Sequence, residues 1–291
     1  MSDTWLILDV NYLAYRALYT TGGLTYNGKS TGVLYGLFRE MFSLRDEFNS
    51  NHIVWCFDHG KNLRKKMLPS YKEGREAKDK NHEKQIIQLK EQLEELKTRL
   101  RKICPNVIMK KGYEADDCMA VSSHDIRTRF PGDRCVIVSA DKDMWQCLKK
   151  EPSEVVVYDP RQSLLVTHDW FVQRYGIYPV DWIIIKSIAG CSTDKIKGVR
   201  GVGEKTAINY ITGQLGQGSR LEKKIVKAYK KGLIKFNKKL VKLPFDPKKE
   251  YDVSNSSDWL GREIVKEVDP WKTDKDWKPL FREYGFQSLM R

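Results

Sequence analysis

The stretch WLILDV (residues 5–10) is a short apolar run that contains an aspartate near its end, and two later segments repeat this pattern. They are HIVWCFD (52–58) and CVIVSADKD (135–143). Helical periodicity alternates with these runs, which predicts buried strands of a parallel sheet in an α/β fold.

Acidic residues stand at the end of each predicted strand, and the carboxyl ends of parallel strands line the edge of a sheet where ligands usually bind. A further acidic group, YEADD (113–117), opens a helix predicted over 113–130, where the helix dipole favours negative charge. We therefore expect seven carboxylates to lie near one another: Asp9, Asp58, Glu114, Asp116, Asp117, Asp141 and Asp143.

Carboxylates that converge in this way need either raised pKa values or bound cations, because two of them about 4 Å apart repel by about 4 kcal/mol at an effective dielectric constant of about 20. Oxygen ligands without His or Cys suit Mg²⁺ or Mn²⁺ rather than zinc. Two such ions can activate water and clamp a phosphate. The alternative is that Glu114, Asp116 and Asp117 only cap a helix while the strand-end acids face solvent. For the set as a whole we favour metal binding.

The chain is strongly basic, with 52 Lys+Arg against 38 Asp+Glu among 291 residues, a net charge of +14 and a pI near 9.3. Such an excess favours a polyanionic partner, although it can also serve solubility. The cations concentrate in 62–84 and 220–249, on either side of the acids, which predicts a nucleic acid held over metal.

No apolar run is long enough to span a bilayer, and the first residues do not resemble a signal peptide, so we expect no membrane association. The six cysteines form no C-x-x-C pair. Most of them lie among apolar residues, which predicts reduced core residues in a cytosolic compartment.

The sequence GVRGVGEKTA (198–207) predicts a glycine-rich turn before a helix that begins near Glu204. Glycines let backbone amides approach a phosphate, and a helix N-terminus attracts it. The spacing excludes a Walker A loop, and no strand precedes the turn, which also excludes a dinucleotide-binding loop. A tight interhelical turn without a ligand is the alternative; we favour a grip on duplex DNA backbone without sequence preference. The expected contacts are Gly198, Arg200, Gly201, Gly203 and Lys205.

The basic segment NLRKKMLPSYKEGR (62–75) follows the second predicted strand. Arg64, Lys72 and Arg75 are expected to contact phosphates, and Tyr71 to stack on an unpaired base. Lys72 and Arg75 would share one face if this segment were helical. The alternative is a solvated, mobile loop. We expect both interpretations to hold in part, with the segment mobile when free and ordered on DNA.

The next stretch, residues 85–103, carries apolar residues at alternating spacings of three and four. This predicts one amphipathic helix that packs within the chain rather than a coiled-coil dimer.

Taken in order, these motifs resemble the 5′ nuclease or flap endonuclease family of bacteriophage and bacterial type. The matching runs are LDVNYLAYRA, FDHGKNLRKKMLPSYKEGR, YEADD, SADKD, IKGVRGVGEKTA, LVKLPFD and FREYGFQSLM. The resemblance implies a PIN-like α/β nuclease core with a mostly parallel sheet over 1–180, including a helical arch at about 62–104. It further implies a helix–three-turn–helix DNA-binding region over 181–255 and a C-terminal segment, 256–291, that packs back on the core.

The resemblance also implies roles for individual residues. First-metal ligands, direct or through water, would be Asp9, Asp58, Glu114, Asp116 and Asp117, while Asp141, Asp143 and Asp194 would serve the second metal. Lys72 and Arg75 would steady the scissile phosphate, and with Asp116 and Asp141 they form the expected catalytic set. The glycine turn would grip the duplex and could hold a potassium ion on backbone carbonyls.

One departure from the family pattern concerns the second metal. The family usually writes Gly-Asp-x-x-Asp ahead of the glycine turn, whereas this chain reads Gly190-Cys191-Ser192-Thr193-Asp194. A thiol is a poor partner for Mg²⁺. We therefore expect a weaker second metal, so that activity needs more metal or prefers Mn²⁺; the alternative is a buried Cys191 with a locally shifted backbone.

The predicted function is 5′-3′ exonuclease and flap endonuclease action by two-metal-ion hydrolysis of DNA phosphodiesters. The expected partner is DNA with 5′ ends or flaps, and the expected state is a cytoplasmic monomer, in the host cytoplasm if the protein is phage-encoded. Two rivals remain open: a catalytically weakened DNA-junction-binding protein of the same fold, and a PIN-type ribonuclease.

Overall fold

A central strand, Thr4–Asp9, organises the protein, and a computed structural model describes residues 2–74, 79–246, 255–267 and 277–290. The strands are β1 (Thr4–Asp9), β2 (Thr25–Tyr26), β3 (Lys29–Ser30), β4 (His52–Cys56), β5 (Val107–Ile108), β6 (Arg134–Val138), β7 (Val155–Asp159), β8 (Leu164–Val166), β9 (Gly190–Cys191) and β10 (Ile196–Lys197).

Helices fill most of the chain between these strands. They are α1 (Val10–Thr20), α2 (Gly32–Phe48), α3 (Arg64–Met67), α4 (Lys80–Ile103), α5 (Ala115–Arg129), α6 (His168–Tyr175), α7 (Trp182–Ala189), α8 (Glu204–Ile211), α9 (Arg220–Lys230), α10 (Leu233–Val241), α11 (Ser256–Leu260) and α12 (Trp277–Glu283), with short 3-10 helices at Lys142–Cys147, Pro179–Asp181 and Gln287–Leu289.

The main sheet has the strand order β5-β4-β1-β6-β7-β8 within the described parts of the chain. Every pairing is parallel except that of β7 with β8, which is antiparallel. The three strands predicted from the apolar runs are therefore neighbours, and their carboxyl ends meet at one edge. The prediction of an α/β fold around a mostly parallel sheet is confirmed.

Both faces of this sheet are covered, which explains why its strands are apolar throughout rather than alternating. Trp5 and Ile7 belong to a buried cluster with α5 and α7, whereas Leu6 and Leu8 belong to a second cluster with α1, α2 and α4. Trp5, Leu6, Ile7 and Leu8 are all fully buried. This three-layer core fixes the sheet edge as a rigid platform.

The region after residue 180 is joined to the body that contains the main sheet by a shared hydrophobic cluster. Trp182 of α7, Ala207 of α8 and Ile225 of α9 lie in the same buried cluster as Met119 of α5. The Asn237 amide of α10 donates hydrogen bonds of 2.9 Å to the carbonyls of Ser187 and Lys197. The segment that carries the glycine turn is thus held firmly against the body.

The end of the chain covers the other face. Phe281, Tyr284 and Phe286 are buried in the cluster that contains α1 and α2, and the Phe281 ring lies 5.1 Å from that of Phe38. No helix in the described ranges is long and apolar enough to cross a membrane.

The element boundaries differ in detail from the predicted ones. The strands end at Cys56 and Val138, so Asp58 and Asp141 lie in the loops beyond them and Asp143 lies in the 3-10 helix that follows. Helix α4 begins at Lys80 rather than at residue 85, because the Asp79 side chain accepts a hydrogen bond from the His82 amide and caps it. Its apolar stripe, centred on Leu93 and Leu96, packs within the chain as predicted.

Candidate active site

Two of the strand-end acids are fixed by helix N-termini at the carboxyl edge of the sheet. Asp9 ends β1 and caps α1, with its Oδ1 accepting a hydrogen bond of 2.9 Å from the Tyr12 amide. Asp58, two residues beyond β4, accepts a hydrogen bond of 2.8 Å from the amide of Ala115, the first residue of α5. The edge of the sheet and the start of α5 are therefore joined directly.

Several of the predicted acids lie close enough for the charge of one to raise the pKa of another. Burial, followed by the charges of Asp58 and Asp141, raises the pKa of Asp9 to about 7. Burial, followed by Asp141 and Asp9, raises the pKa of Asp116 well above its usual value. Burial and then Asp141 raise the pKa of Asp143 to about 7. Acids from β1, α5 and the segment after β6 therefore lie within reach of one another's negative charge.

This cluster fits a hard divalent cation. Its donors are carboxylate oxygens only, and their raised pKa values mark negative charge that the protein neutralises only in part. Among the described residues no three His, Cys, Asp or Glu side chains are drawn into a compact ligand set.

The other two acids of the YEADD motif belong to a buried ion pair. Arg64 places Nη1 and Nη2 each 2.8 Å from the carboxylate oxygens of Asp117, which is fully buried, and Nη1 also lies 3.0 Å from Glu114. Asp117 accepts further hydrogen bonds from the amides of Phe245, at 2.7 Å, and Glu114, at 3.1 Å. The guanidinium and the two carboxylates form a closed internal network.

This network corrects two predictions about individual residues. Arg64 is only 3% exposed and is engaged by Asp117, Glu114 and the Leu240 carbonyl, so it does not face a phosphate. Asp117 has both oxygens occupied in the interior, so it is not available to a metal in this arrangement. Both residues support the site from beneath.

Tyr71 and Lys72 approach Glu114 from the basic segment. The Tyr71 hydroxyl donates a hydrogen bond of 2.8 Å to Glu114, and its ring is 3% exposed, which leaves no face for the predicted base stacking. The Lys72 ammonium contacts the other oxygen of Glu114. Burial alone would raise the pKa of Glu114, but Lys72 and Arg64 outweigh it and hold that pKa at about 2.

Lys72 lies where its charge reaches the acid cluster. Burial alone would lower its pKa, but Glu114, Asp116 and Asp194 outweigh burial and raise it. Lys72 has a positive φ of 55° and lies in a turn, not a helix, so the shared helical face predicted for Lys72 and Arg75 is not formed there. Arg75 itself lies outside the described residues.

A second cation, Lys186, was missed by the sequence analysis. It is only 8% exposed, and its ammonium lies 3.1 Å from Asp143 and 3.5 Å from Glu204, the first residue of α8. This ion pair links the acid cluster to the glycine turn. The signal was present as a single lysine in the apolar helix WIIIKSIA, where only a buried partner offsets the cost of desolvation.

Cys191 and Asp194 follow helix α7 in the chain. Cys191 is half-buried, with its sulfur 3.0 Å from the Thr193 hydroxyl, and burial raises the pKa of its thiol. Asp194 is 6% exposed, and its carbonyl accepts a hydrogen bond of 3.2 Å from the Lys72 amide. The structure therefore places Asp194 beside Lys72, at the rim of the acid cluster.

The glycine turn lies between β10 and α8. A β-carbon at Gly198 would lie 2.0 Å from the Ala189 carbonyl oxygen, and Gly201 has a φ of 84°, so both positions require glycine. Gly203 caps α8 without either constraint. Lys205 is exposed on α8, and the Arg200 carbonyl accepts a hydrogen bond of 3.2 Å from Lys224.

All six cysteines are free, and Cys56, Cys104, Cys118 and Cys135 are buried. Burial raises the pKa of the thiols of Cys118 and Cys135, which suits inert core residues.

Comparison with known proteins identifies the family. The model of the 5′-3′ exonuclease N-terminal resolvase-like domain matches residues 4–176, which include β1, α5 and the acid-bearing loops. The chain belongs to the 5′-3′ exonuclease family.

Relatives of this family member include two proteins that are each named 5′-3′ exonuclease. The one from Buchnera aphidicola is 30% identical over 206 residues, covering 70% of this chain and 68% of the relative. The one from Aquifex aeolicus is 30% identical over 210 residues, covering 72% and 68%. The thermostable DNA polymerase I of Thermus thermophilus is 30% identical over 71% of this chain, but the chain spans only 23% of that polymerase's length.

Solved structures show the same fold. The 5′-exonuclease of bacteriophage T5 with bound zinc has a TM-score of 0.68 at 21% identity, with 83% of this chain and 90% of that chain covered. The bacteriophage T5 flap endonuclease in complex with DNA and metal ions has a TM-score of 0.67 at 20% identity, with 99% of both chains covered.

Proposed function

We propose that this protein is a metal-dependent, structure-specific 5′ nuclease that hydrolyses DNA phosphodiesters as a 5′-3′ exonuclease and flap endonuclease. The observation that carries the proposal is that acids from separate segments lie within reach of one another's charge: besides burial, Asp58 and Asp141 raise the pKa of Asp9, and Asp141 and Asp9 raise that of Asp116. Membership of the 5′-3′ exonuclease family supports the same reaction.

Asp9, Asp58 and Asp116 would hold a first divalent ion, Mg²⁺ or Mn²⁺. Asp141, Asp143 and Asp194 would serve a second. Bound there, a divalent cation supplies positive charge to a phosphate and acidifies water, chemistry that a carboxylate cluster alone cannot provide.

The chain's own residues would orient the DNA. Lys72, whose charge reaches Asp9, Asp58 and Asp116, would draw a phosphate toward the acids. The backbone amides of the glycine turn and the exposed Lys205 would contact the duplex backbone. Glu114 would keep Lys72 at the acid cluster rather than bind metal itself.

The second ion would bind more weakly than the first. The Lys186 ammonium lies 3.1 Å from Asp143, and a thiol, Cys191, stands where the family resemblance implies a carboxylate. Cation–cation repulsion and the low affinity of a thiol for Mg²⁺ act in the same direction. A catalytically weakened junction-binding protein is the second candidate for this reason.

We propose that the three predicted regions, 1–180, 181–255 and 256–291, have separate functions. The first two do not fold independently, because one hydrophobic cluster crosses the boundary between them. We also propose a monomer acting on DNA in the cytoplasm. Potassium at the glycine turn stays a prediction, and the Arg200 carbonyl there is engaged by Lys224.

The test is cleavage of a labelled 5′-flap DNA in Mg²⁺ or Mn²⁺ by the wild-type protein and by the Asp116→Asn variant. The variant should lose at least about 100-fold in rate, more than outer-shell changes usually cost, while binding the flap equally well in EDTA. Asp258→Asn, an exposed change on α11, is the control and should cleave like the wild type. Wild-type binding without cleavage would instead establish the junction-binding protein, and preferential cleavage of an RNA flap would establish a ribonuclease.

A further inference from the structure

A cleft of about 370 Å³ opens beside the acid cluster, between the carboxyl ends of β6 and β7 and helix α6. Its wall includes Ala140 and Lys142, the residues on either side of Asp141. The cleft lies at the small end of the range of ligand pockets, roughly 300–1,000 Å³, which suits a single nucleotide and excludes a base-paired duplex. None of the proposed metal ligands and no residue of the glycine turn lines this cleft.

Three aromatic rings form one side of this cleft. Trp145 lies 6.4 Å from Trp170 and 5.7 Å from Tyr175, and Trp170 lies 6.2 Å from Tyr175, measured between ring centroids. Trp145 is nearly buried and supports the other two, which are half-buried and present ring surface to the cleft. Aromatic faces of this kind stack on nucleobases of any sequence.

Positively charged side chains also line the cleft, next to the aromatic rings. Lys142, Arg161 and Arg174 line the cleft with one carboxylate, Asp159. Asp159 is already satisfied within its own turn, because it accepts hydrogen bonds from the Arg161 amide, at 2.9 Å, and from the Gln162 amide group, at 2.9 Å. Arg161 lies 3.3 Å from the same carboxylate. Lys142 and Arg174 are exposed, and the Lys142 ammonium lies 5.3 Å from the centroid of the Trp145 ring and 3.8 Å from Glu204. These two cations are the ones available to an anionic ligand beside the rings.

We propose that this cleft binds one unpaired nucleotide, with its base against Trp170 and Tyr175 and its phosphate toward Lys142 and Arg174. The inference rests on the proposed nuclease function, because it assigns a place beside the acids to a nucleotide that has left the duplex. The combination of stacking surface, cations and single-nucleotide volume carries it, and the same chemistry accepts either a nucleotide of the DNA chain or a free 5′-mononucleotide.

Photocrosslinking tests the site directly. A 5′-flap DNA carrying 5-iododeoxyuridine in its unpaired strand is bound to the full-length wild-type protein in EDTA and irradiated, and the adducts are mapped by mass spectrometry. Adducts on Trp170 or Tyr175 are expected. Adducts confined to other elements, such as α4 or α8, would overturn the proposal.

Equilibrium binding of the Arg174→Ala variant provides an independent measurement. Its affinity for the flap DNA should fall about five- to tenfold, with affinity for a blunt duplex unchanged. Arg282→Ala removes the same charge from an exposed position on α12 and should change neither. An equal loss on both DNAs, or no loss with the flap, would refute a single-strand role. Thermal unfolding of both variants checks that each is folded.

Competition separates the two sources of nucleotide. If thymidine 5′-monophosphate abolishes the crosslink, the cleft accepts free mononucleotide; if the crosslink survives, the nucleotide is held as part of the chain. Flap cleavage is measured on the same preparation. Cleavage without a crosslink in the cleft rejects this inference alone, and a crosslink without cleavage rejects the nuclease function alone.

Discussion

Replacing Asp9 by asparagine should stabilise the cation-free protein at pH 8, although Asp9 is a proposed metal ligand. Burial, then the charges of Asp58 and Asp141, raises its pKa from 3.8 to about 7. A carboxyl whose pKa is higher in the folded state releases its proton more readily when the chain unfolds. The free energy of unfolding is therefore unaffected by the Asp9 carboxyl below about pH 3.8, and it falls as the pH rises from there to about 7, because only the unfolded chain then releases the proton.

The size of the effect follows from the two pKa values. The difference between 3.8 and about 7 corresponds to about 4 kcal/mol, at about 1.36 kcal/mol for each pH unit. Asp9 is mostly but not fully buried, so water screens part of this energy, and we expect a gain of about 2 kcal/mol in the free energy of unfolding. Asparagine keeps the cap of α1, because its side-chain oxygen can accept the 2.9 Å hydrogen bond from the Tyr12 amide.

The measurement is urea unfolding in EDTA at pH 8 and pH 4. The gain of Asp9→Asn should be present at pH 8 and nearly absent at pH 4. Asp79→Asn is the matched control, because Asp79 caps α4 in the same way, accepting the His82 amide at 2.9 Å, but is exposed. It should change stability by less than about 0.5 kcal/mol. A destabilised Asp9→Asn protein at pH 8, or an equal gain at both pH values, would refute the reasoning.

Arg64→Leu should lower the free energy of unfolding by about 3–5 kcal/mol, measured with urea, because it leaves a fully buried carboxylate unpaired; a stable variant with weakened DNA binding would instead indicate a phosphate contact. Gly198→Ala should cost about 3 kcal/mol by the same measurement, since its β-carbon would lie 2.0 Å from the Ala189 carbonyl, whereas Gly203→Ala, with open space around it, should keep wild-type stability. Cys191→Asp should lower the Mg²⁺ concentration for half-maximal flap cleavage by about tenfold. An unchanged metal dependence would refute a role for the thiol in the second site.

The sequence was sufficient to predict the sheet edge because that edge depends on short-range patterns. A buried parallel strand must be apolar throughout, and an acid at its end is visible in the sequence, as at Asp9. The role of Arg64 could not be predicted in the same way. A basic segment looks alike whether its arginine faces solvent or a buried carboxylate, and the partner, Asp117, lies 53 residues away. Lys186 posed the same difficulty.

The YEADD motif shows how a single turn of helix serves two electrostatic roles. Glu114 and Asp117 lie three positions apart, at the N-cap and in the first turn of α5, and both face Arg64, so their charge is neutralised inside the protein. Asp116 is coupled instead to Asp141 and to the acid at the end of β1. The first pair fixes the helix start, and the remaining acid is left short of positive charge. Because Glu114 and Asp117 are neutralised internally, the uncompensated negative charge of the motif is confined to Asp116, on the side of α5 that meets the sheet edge.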